Sequence, residues 1–348
     1  MSRILVTGGA GYIGSHTVVA LLQAGYQVVS VDNYSNSTPD VYEGIAKICG
    51  CAPDFEEADC VNPTAMRHLF CKYGPFDAVI HFAAKKAVGE SVEQPLNYYR
   101  NNLDSLLTLL ELMQEFGANH LVFSSSCTVY GQAKELPVTE ESPILPAASP
   151  YGNTKQICEE IICDTVAATS LKAISLRYFN PIGAHSSAWI GELPRGVPQN
   201  LVPFITQTAI GLRTKLQVFG DDYNTPDGSC IRDYIYVVDL AQAHVAAVAR
   251  LLSGKEKETY EVFNVGTGKG RSVLELIRAF EHITGKPLPY IIVGRRTGDI
   301  EQIWANPSKA NRELHWKANT PIEAILSSAW AWEQRINEST SSVPQYTR

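Results

Sequence analysis

Apolar and polar positions in the first half of this chain alternate between two rhythms. Short runs of β-branched and other apolar residues read as strands at 3–7 (RILVT), 27–32 (QVVSVD), around Phe55, at 76–84, at 120–126 (HLVFSSS) and at 172–180. Between them, apolar residues at helical spacing predict helices at 12–24, 63–73, 92–117 and 151–169. Strands separated by helices form βαβ units, and runs that are apolar at nearly every position suit strands covered on both faces. Residues 1–180 are therefore expected to form an α/β domain with a Rossmann-type, doubly wound parallel sheet. After residue 180 the texture changes, with PIGAHSSAWIGELPRGVPQN rich in Gly and Pro and the following elements shorter and mixed. A smaller mixed α/β substrate domain is expected over 181–348, with the chain free to cross between the two. The polar tail after about residue 335 is expected to be poorly ordered.

Composition narrows the function classes. With 36 acidic against 29 basic residues, the 348-residue chain carries a net charge of −7, and no basic run marks a nucleic-acid or membrane surface. The first residues form a strand pattern rather than a charged segment leading into an apolar core, and no run of about 18 apolar residues occurs. Neither export nor a membrane span is expected. Eight scattered cysteines without a CxxC pair suit reduced thiols in a cytoplasmic protein, not a metal centre. The expected partner is a small molecule.

Candidate chemistry concentrates in two places. In TGGAGYIGSHT, residues 7–17, Gly8 or Gly9 is followed by Gly11 and Gly14 where a strand turns into a helix. Glycine lets the backbone approach a pyrophosphate closely, and the amides and dipole of the helix start attract it. Asp32 ends the next strand, 18 residues after Gly14. A carboxylate there accepts hydrogen bonds from ribose hydroxyls and repels a 2′-phosphate, which favours NAD over NADP. The later NVGTGKGRS fails the P-loop pattern, since Gly270 follows Lys269 where Ser or Thr is needed, and reads as a loop before a helix. The second place is Tyr151 and Lys155, which share one helix face just after a strand ending in Ser124-Ser125-Ser126. An ammonium near a phenol favours phenolate, making Tyr151 a candidate general base and Ser126 a partner for the reacting hydroxyl.

TGGAGYIG, FSSSCTVYG, SPYGNTK and LRYFNPIGAH, in this order, resemble the extended short-chain dehydrogenase/reductases and, within them, the UDP-glucose 4-epimerase family. HFAAKKAVGESVEQPLNYY, PQNLVPF, LQVFGDDYNTPDGSCIRDYIYVVDLAQAHV and GRRTGDIEQIWANPSKANREL extend the resemblance over residues 3–335. It implies reversible C4 epimerisation of UDP-glucose and UDP-galactose through a 4-keto sugar, with tightly bound NAD, in a homodimer paired through the helices at 92–117 and 151–169. It implies that Ser126, Tyr151 and Lys155 are catalytic. For the cofactor it implies Gly8, Gly11, Tyr12, Ile13, Gly14, Asp32, Asn33, Asp59, Phe82, Ala83, Lys86, Asn101, Ser124 and Tyr178 beside Tyr151 and Lys155. For the UDP-hexose it implies Lys86, Ser126, Tyr151, Phe179, Asn180, Asn200, Leu201, Gln217, Phe219, Arg232, Arg296, Asp299 and Ile303.

Some positions depart from the family pattern. Ala84 stands where Gly is common, Asp104-Ser105 where Gly-Thr is usual, and Cys127 where a small residue such as Ala is common. Ile303 occupies a position where some epimerases carry a pocket-narrowing Tyr, so some turnover of UDP-N-acetylhexosamines is expected. Two alternatives remain beside the epimerase. A nucleotide-sugar 4,6-dehydratase carries Thr-Asp-Glu where this chain has Ser126-Cys127-Thr128, and a catalytically silent NAD-binding regulator does not need the Ser, Tyr and Lys present here.

Overall fold

The computed structural model of the chain describes residues 1–296 and 298–341. The first half runs β1 (Arg3–Thr7), α1 (Tyr12–Gln23), β2 (Gln27–Asp32), α2 (Val41–Cys49), β3 (Asp54–Glu57), α3 (Pro63–Tyr73), β4 (Ala78–His81), α4 (Val88–Glu93), α5 (Pro95–Phe116), β5 (His120–Ser126), α6 (Pro150–Ala168) and β6 (Lys172–Tyr178). The second runs β7 (Asn180–Ile182), α7 (Leu201–Ala209), β8 (Leu216–Phe219), β9 (Ile231–Tyr236), α8 (Val237–Leu252), β10 (Tyr260–Val265), β11 (Gly270–Ser272), α9 (Val273–Thr284), β12 (Tyr290–Val293), β13 (Gln302–Ile303), α10 (Ser308–Glu313) and α11 (Ile322–Ser341).

The central sheet is parallel, in the order β3-β2-β1-β4-β5-β6-β10. Ile4 and Val6 pack on one face against α1 and α8, and Leu5 packs on the other against α3, α5 and α6. All three are fully buried, which is why the strand reads as a continuous apolar run. Strand order reverses direction between β1 and β4, and ligands of doubly wound sheets bind at the carboxyl ends flanking such a point.

Four features differ from the sequence expectation or add to it. The seventh strand, β10, and the covering helix α8 come from beyond residue 180, so the first sheet is completed by the second half of the chain. The stretch from 33 to 54 carries no expected element, yet α2 forms there with Tyr42 and Ile45 buried. Its Gly44 obscures the helical pattern but is required, because a Cβ would lie 2.5 Å from the Trp189 carbonyl oxygen. The helix expected over 92–117 is α5, starting at Pro95, and a separate short helix, α4, precedes it. Gln94 between them leaves helical geometry at φ −129° and ψ 57°, as a residue before proline does. The tail expected to fray after about 335 is helical through Ser341 in α11; residues 342–348 lie outside the described residues.

In the smaller domain β9 is flanked by β11 and β13 and also pairs with β7, while β8 pairs with β12. α7, α9 and α11 supply Val202, Ile205, Leu276, Phe280 and Leu326 to the core beside Tyr234 and Tyr236 of β9. The NVGTGKGRS loop is spent inside the protein, since the buried Asp233 carboxylate accepts from the Thr267 amide at 2.9 Å, the Gly268 amide at 3.0 Å and the Ala305 amide at 3.2 Å. Only residues 266–269 are loop, between the end of β10 and β11, and β11 leads into α9 through a Ser272/Glu275 capping box. Among the described residues no helix is long and apolar enough to cross a membrane.

Candidate active site

The glycine turn sits at the switch point of the sheet. Gly8 has φ +69°, a conformation that favours glycine, and a Cβ there would meet the Ala83 amide nitrogen at 2.8 Å. A Cβ on Gly14 would stand 2.2 Å from the Gly8 carbonyl oxygen. α1 starts without a side-chain cap, so the amides of its first turn remain for an anion. Asp32 is buried at the end of β2. Its Oδ2 accepts from the Ala10 amide at 3.1 Å and its Oδ1 from the Tyr34 amide and Ser37 Oγ, both at 2.9 Å. Asn33 Nδ2 donates to Asp59 Oδ2 at 3.0 Å. A turn with glycine at its close approaches, uncapped amides and a fixed carboxylate fit a dinucleotide whose ribose hydroxyls are free. Asp32→Ala is therefore expected to weaken NAD binding roughly ten- to hundred-fold and to narrow the preference over NADP. Titrating both cofactors into NAD-stripped protein checks this, and an unchanged preference would remove Asp32 from the ribose.

Phe82 and Ala83 follow β4 directly, and the Ala83 amide donates to Thr7 Oγ1 at 3.4 Å. Ile13 packs into the cores of both halves, and Tyr12 donates from its hydroxyl to the Gly183 carbonyl at 2.6 Å, tying the glycine turn to the second domain. Asn101 donates to Asn102 Oδ1 at 3.0 Å, and it is Asn102 that is buried. Asn102 clamps the strand-to-helix loop by accepting from the Lys85 amide at 2.8 Å and donating to the Lys85 carbonyl at 3.0 Å, which places the neighbouring Lys86.

α6 begins on a Ser149 cap, whose Oγ accepts from the Gly152 amide at 3.1 Å, with Pro150 in the first position. That start places Tyr151 and Lys155 on successive turns beside the end of β5, and Ser126, Tyr151 and Lys155 are all buried. Lys155 Nζ donates to the Ser124 carbonyl at 2.7 Å and lies 5.9 Å from the Tyr151 ring centre. Ser124 Oγ and the Tyr178 hydroxyl are 2.5 Å apart. Burial pushes the Tyr151 phenol well above its ordinary pKa, Tyr178 adds to the rise, and hydrogen bonding with Ser126 opposes it. Burial lowers the Lys155 ammonium to about 8, with Cys158 and Glu159 opposing the fall. Burial thus opposes the lowering that neighbouring positive charge is expected to bring to Tyr151.

The residues implied for the UDP-hexose lie on several elements. Arg296 Nη2 meets Asp299 Oδ1 at 2.8 Å, and Arg232 Nη2 approaches the same oxygen at 3.5 Å. Gln217 and Phe219 share one face of β8, with the Arg296 guanidinium 5.4 Å from the Phe219 ring centre. Asn180 opens β7, and Asn200 and Leu201 open α7. Asn200 stands at the cap position but makes no capping bond, donating instead to Glu192 Oε1 at 2.5 Å. Phe179 and Ile303 are buried in one cluster with Cys127, next to Ser126. The Arg232 charge reaches Cys127, opposing the rise that burial imposes on its thiol. Ser105, at one departing position, donates to the Ala83 carbonyl at 3.4 Å and so touches the cofactor loop.

Sequence reasoning passed over two features. Glu192 also accepts from Lys86 Nζ at 3.4 Å, joining a cofactor-side lysine to a substrate-side asparagine. No motif signals it. Glu159 and Arg177 form a buried ion pair behind the catalytic helix. The available signal was Glu159, one helical turn beyond Lys155 in α6.

This strand order, with a Tyr–Lys helix at its carboxyl edge, defines an extended short-chain dehydrogenase/reductase. A family model described as GDP-mannose 4,6 dehydratase matches residues 5–329. UDP-glucose 4-epimerase 2 of Arabidopsis thaliana is 52% identical over 333 residues, covering 94% of this chain and 94% of the relative. The structure of UDP-glucose 4-epimerase from Bifidobacterium longum in complex with NAD+ and UDP superposes with a TM-score of 0.93 at 47% identity, covering 96% of this chain and 98% of that one. The enzyme from Stenotrophomonas maltophila, with bound NAD and formylated UDP-arabinopyranose, also gives 0.93 at 47% identity, over 97% and 100% of the two chains. The chain belongs to the UDP-glucose 4-epimerase family.

Proposed function

We propose that this chain interconverts UDP-glucose and UDP-galactose by inverting C4 of the hexose through a 4-keto sugar. NAD, held by the Gly8–Gly14 turn and Asp32, would supply a reversible hydride acceptor for C4 and a positive charge near Tyr151. Tyr151 takes the proton of the 4-hydroxyl and later gives it back, while Ser126 hydrogen-bonds the same oxygen. Lys155, anchored on Ser124, carries a positive charge below about pH 8 that favours the phenolate. For the hexose to present both faces it is held loosely, so binding energy resides in the nucleotide. Arg232 and Arg296 take the diphosphate, and Asn180, Asn200, Leu201, Gln217, Phe219 and Asp299 position UDP. The sheet half, with β10 and α8, holds NAD, and the remainder holds the UDP-hexose.

The observation that carries this reading is the buried Ser126–Tyr151–Lys155 set beside the Arg232–Asp299–Arg296 cluster. Without carboxyl groups at Cys127 and Thr128, a 4,6-dehydratase lacks an acid and base for removing water. Purified protein without added NAD is expected to convert UDP-glucose to UDP-galactose, and back, to one equilibrium mixture without net NADH. Product chromatography checks it, and absence of product with NAD retained would favour the silent regulator.

UDP-N-acetylglucosamine is expected to turn over slowly, since Ile303 is smaller than Tyr; no product at high enzyme concentration would remove this extension. The proposed assembly is a homodimer through α5 and α6, with Leu96 and Leu107 of α5 exposed. The eight free cysteines suit a reducing compartment, and the proposed location is the cytoplasm.

A further inference from the structure

Between β7 and α7, residues 185–200 leave the substrate domain and run across the NAD-side domain. Ile190 is buried against Tyr42 and Ile45 of α2, and Lys47 Nζ stands 4.1 Å from the Trp189 ring centre. Glu192, Asn200 and Lys86 meet in the middle of the segment. At its far reach Arg195 donates from Nη1 to the Ser35 carbonyl at 3.1 Å and from Nη2 to the Ser37 carbonyl at 2.5 Å. Exposed arginines ordinarily stay solvated and loosely held. This one places two nitrogens of its planar fork on two backbone carbonyls of a distant turn.

That turn directly follows Asp32. Within it Tyr34 is held at φ +51°, a left-handed conformation that a bulky residue keeps only where its surroundings impose it. Asp32 Oδ1 holds the turn from inside, through the Tyr34 amide and Ser37 Oγ. Arg195 holds it from outside. We propose that Arg195 is a positioning residue that fastens residues 185–200 over the adenosine end of the groove and sets how slowly NAD leaves. The proposal rests on reading the Gly8–Asp32 groove as the NAD site. Release then requires breaking both Arg195 bonds and freeing the turn beside Asp32, whereas the chemistry at Tyr151 does not involve Arg195.

The test uses NAD-loaded protein and its Arg195→Ala and Arg195→Lys variants. NAD release is followed after dilution into an NAD-consuming enzyme, alongside kcat at saturating NAD and the unfolding midpoint of NAD-stripped protein. Arg195→Ala is expected to release NAD on the order of tenfold faster, with kcat and the stripped midpoint unchanged. Arg195→Lys, a single point donor, is expected to fall between. Equal release from wild type and both variants would overturn the proposal. Wild type that retains no NAD would instead overturn the groove assignment and the proposal with it.

Discussion

Tyr151→Phe is expected to lower turnover of UDP-glucose by about 10²- to 10⁴-fold, the range supplied by one positioned acid–base group, while UDP affinity stays unchanged. Inversion at C4 needs a proton removed from the 4-hydroxyl and restored to it, and Tyr151 is the phenol in the first turn of α6, which is capped by Ser149 and starts beside the end of β5. The phenol rests protonated, pushed up by burial. Its conversion to a base therefore depends on positive charge close by, from the cofactor and from Lys155. Phenylalanine preserves the ring and its packing but has no proton to move. The UDP residues lie on other elements, so the two readouts separate chemistry from binding. Steady-state kinetics and UDP calorimetry on the same preparation check the prediction, and a turnover within a few-fold of wild type would remove Tyr151 from the reaction.

Residues that share one local element were legible in the sequence. The glycine turn, Asp32 at the end of the next strand, and Tyr151 with Lys155 each follow from strand or helix spacing, and the structure places all of them at the switch-point edge of the sheet. Legibility fell where position depends on distant chain. Gly44 hides α2 because the reason for that glycine, the Trp189 carbonyl, lies far along the sequence. β10 reads as one more short strand, and nothing local says that it pairs with β6 rather than within the second domain. β9 likewise draws its partners from β7, β11 and β13, none of them adjacent to it in sequence. At the site, Lys86 from the loop after β4 meets Glu192 and Asn200 from the segment before α7, so Glu192 was invisible while its partners were carried by resemblance. A spacing of four puts Lys155 on the right face but does not show that its ammonium also donates to the Ser124 carbonyl or that Tyr151 beside it is buried.

Arg177→Met is expected to destabilise the NAD-loaded protein by about 3–5 kcal/mol, the cost of removing one partner of a buried ion pair. Arg177 Nη2 donates to Glu159 Oε2 at 2.6 Å and its Nε to Glu159 Oε1 at 3.0 Å, with side-chain exposures of 8% and 10%. Nη1 donates to the Tyr130 hydroxyl at 3.0 Å, which in turn donates to Asn264 Oδ1 at 2.6 Å. The guanidinium thereby joins α6, β6, β10 and the segment after β5. Without it the Glu159 carboxylate keeps, among the described residues, the Ser125 Oγ donor at 2.5 Å, inside a buried region. The loss is due to the stranded charge rather than to lost packing, since methionine fills much of the same volume. The double variant Glu159→Met with Arg177→Met strands no charge and is expected to recover part of the loss. Recovery stays incomplete because Ser125 loses its acceptor and Tyr130 loses a donor. Urea unfolding of wild type, both single variants and the double variant gives the coupling directly. A double variant as unstable as the sum of the two single ones would show that the ion pair is not what holds these elements together.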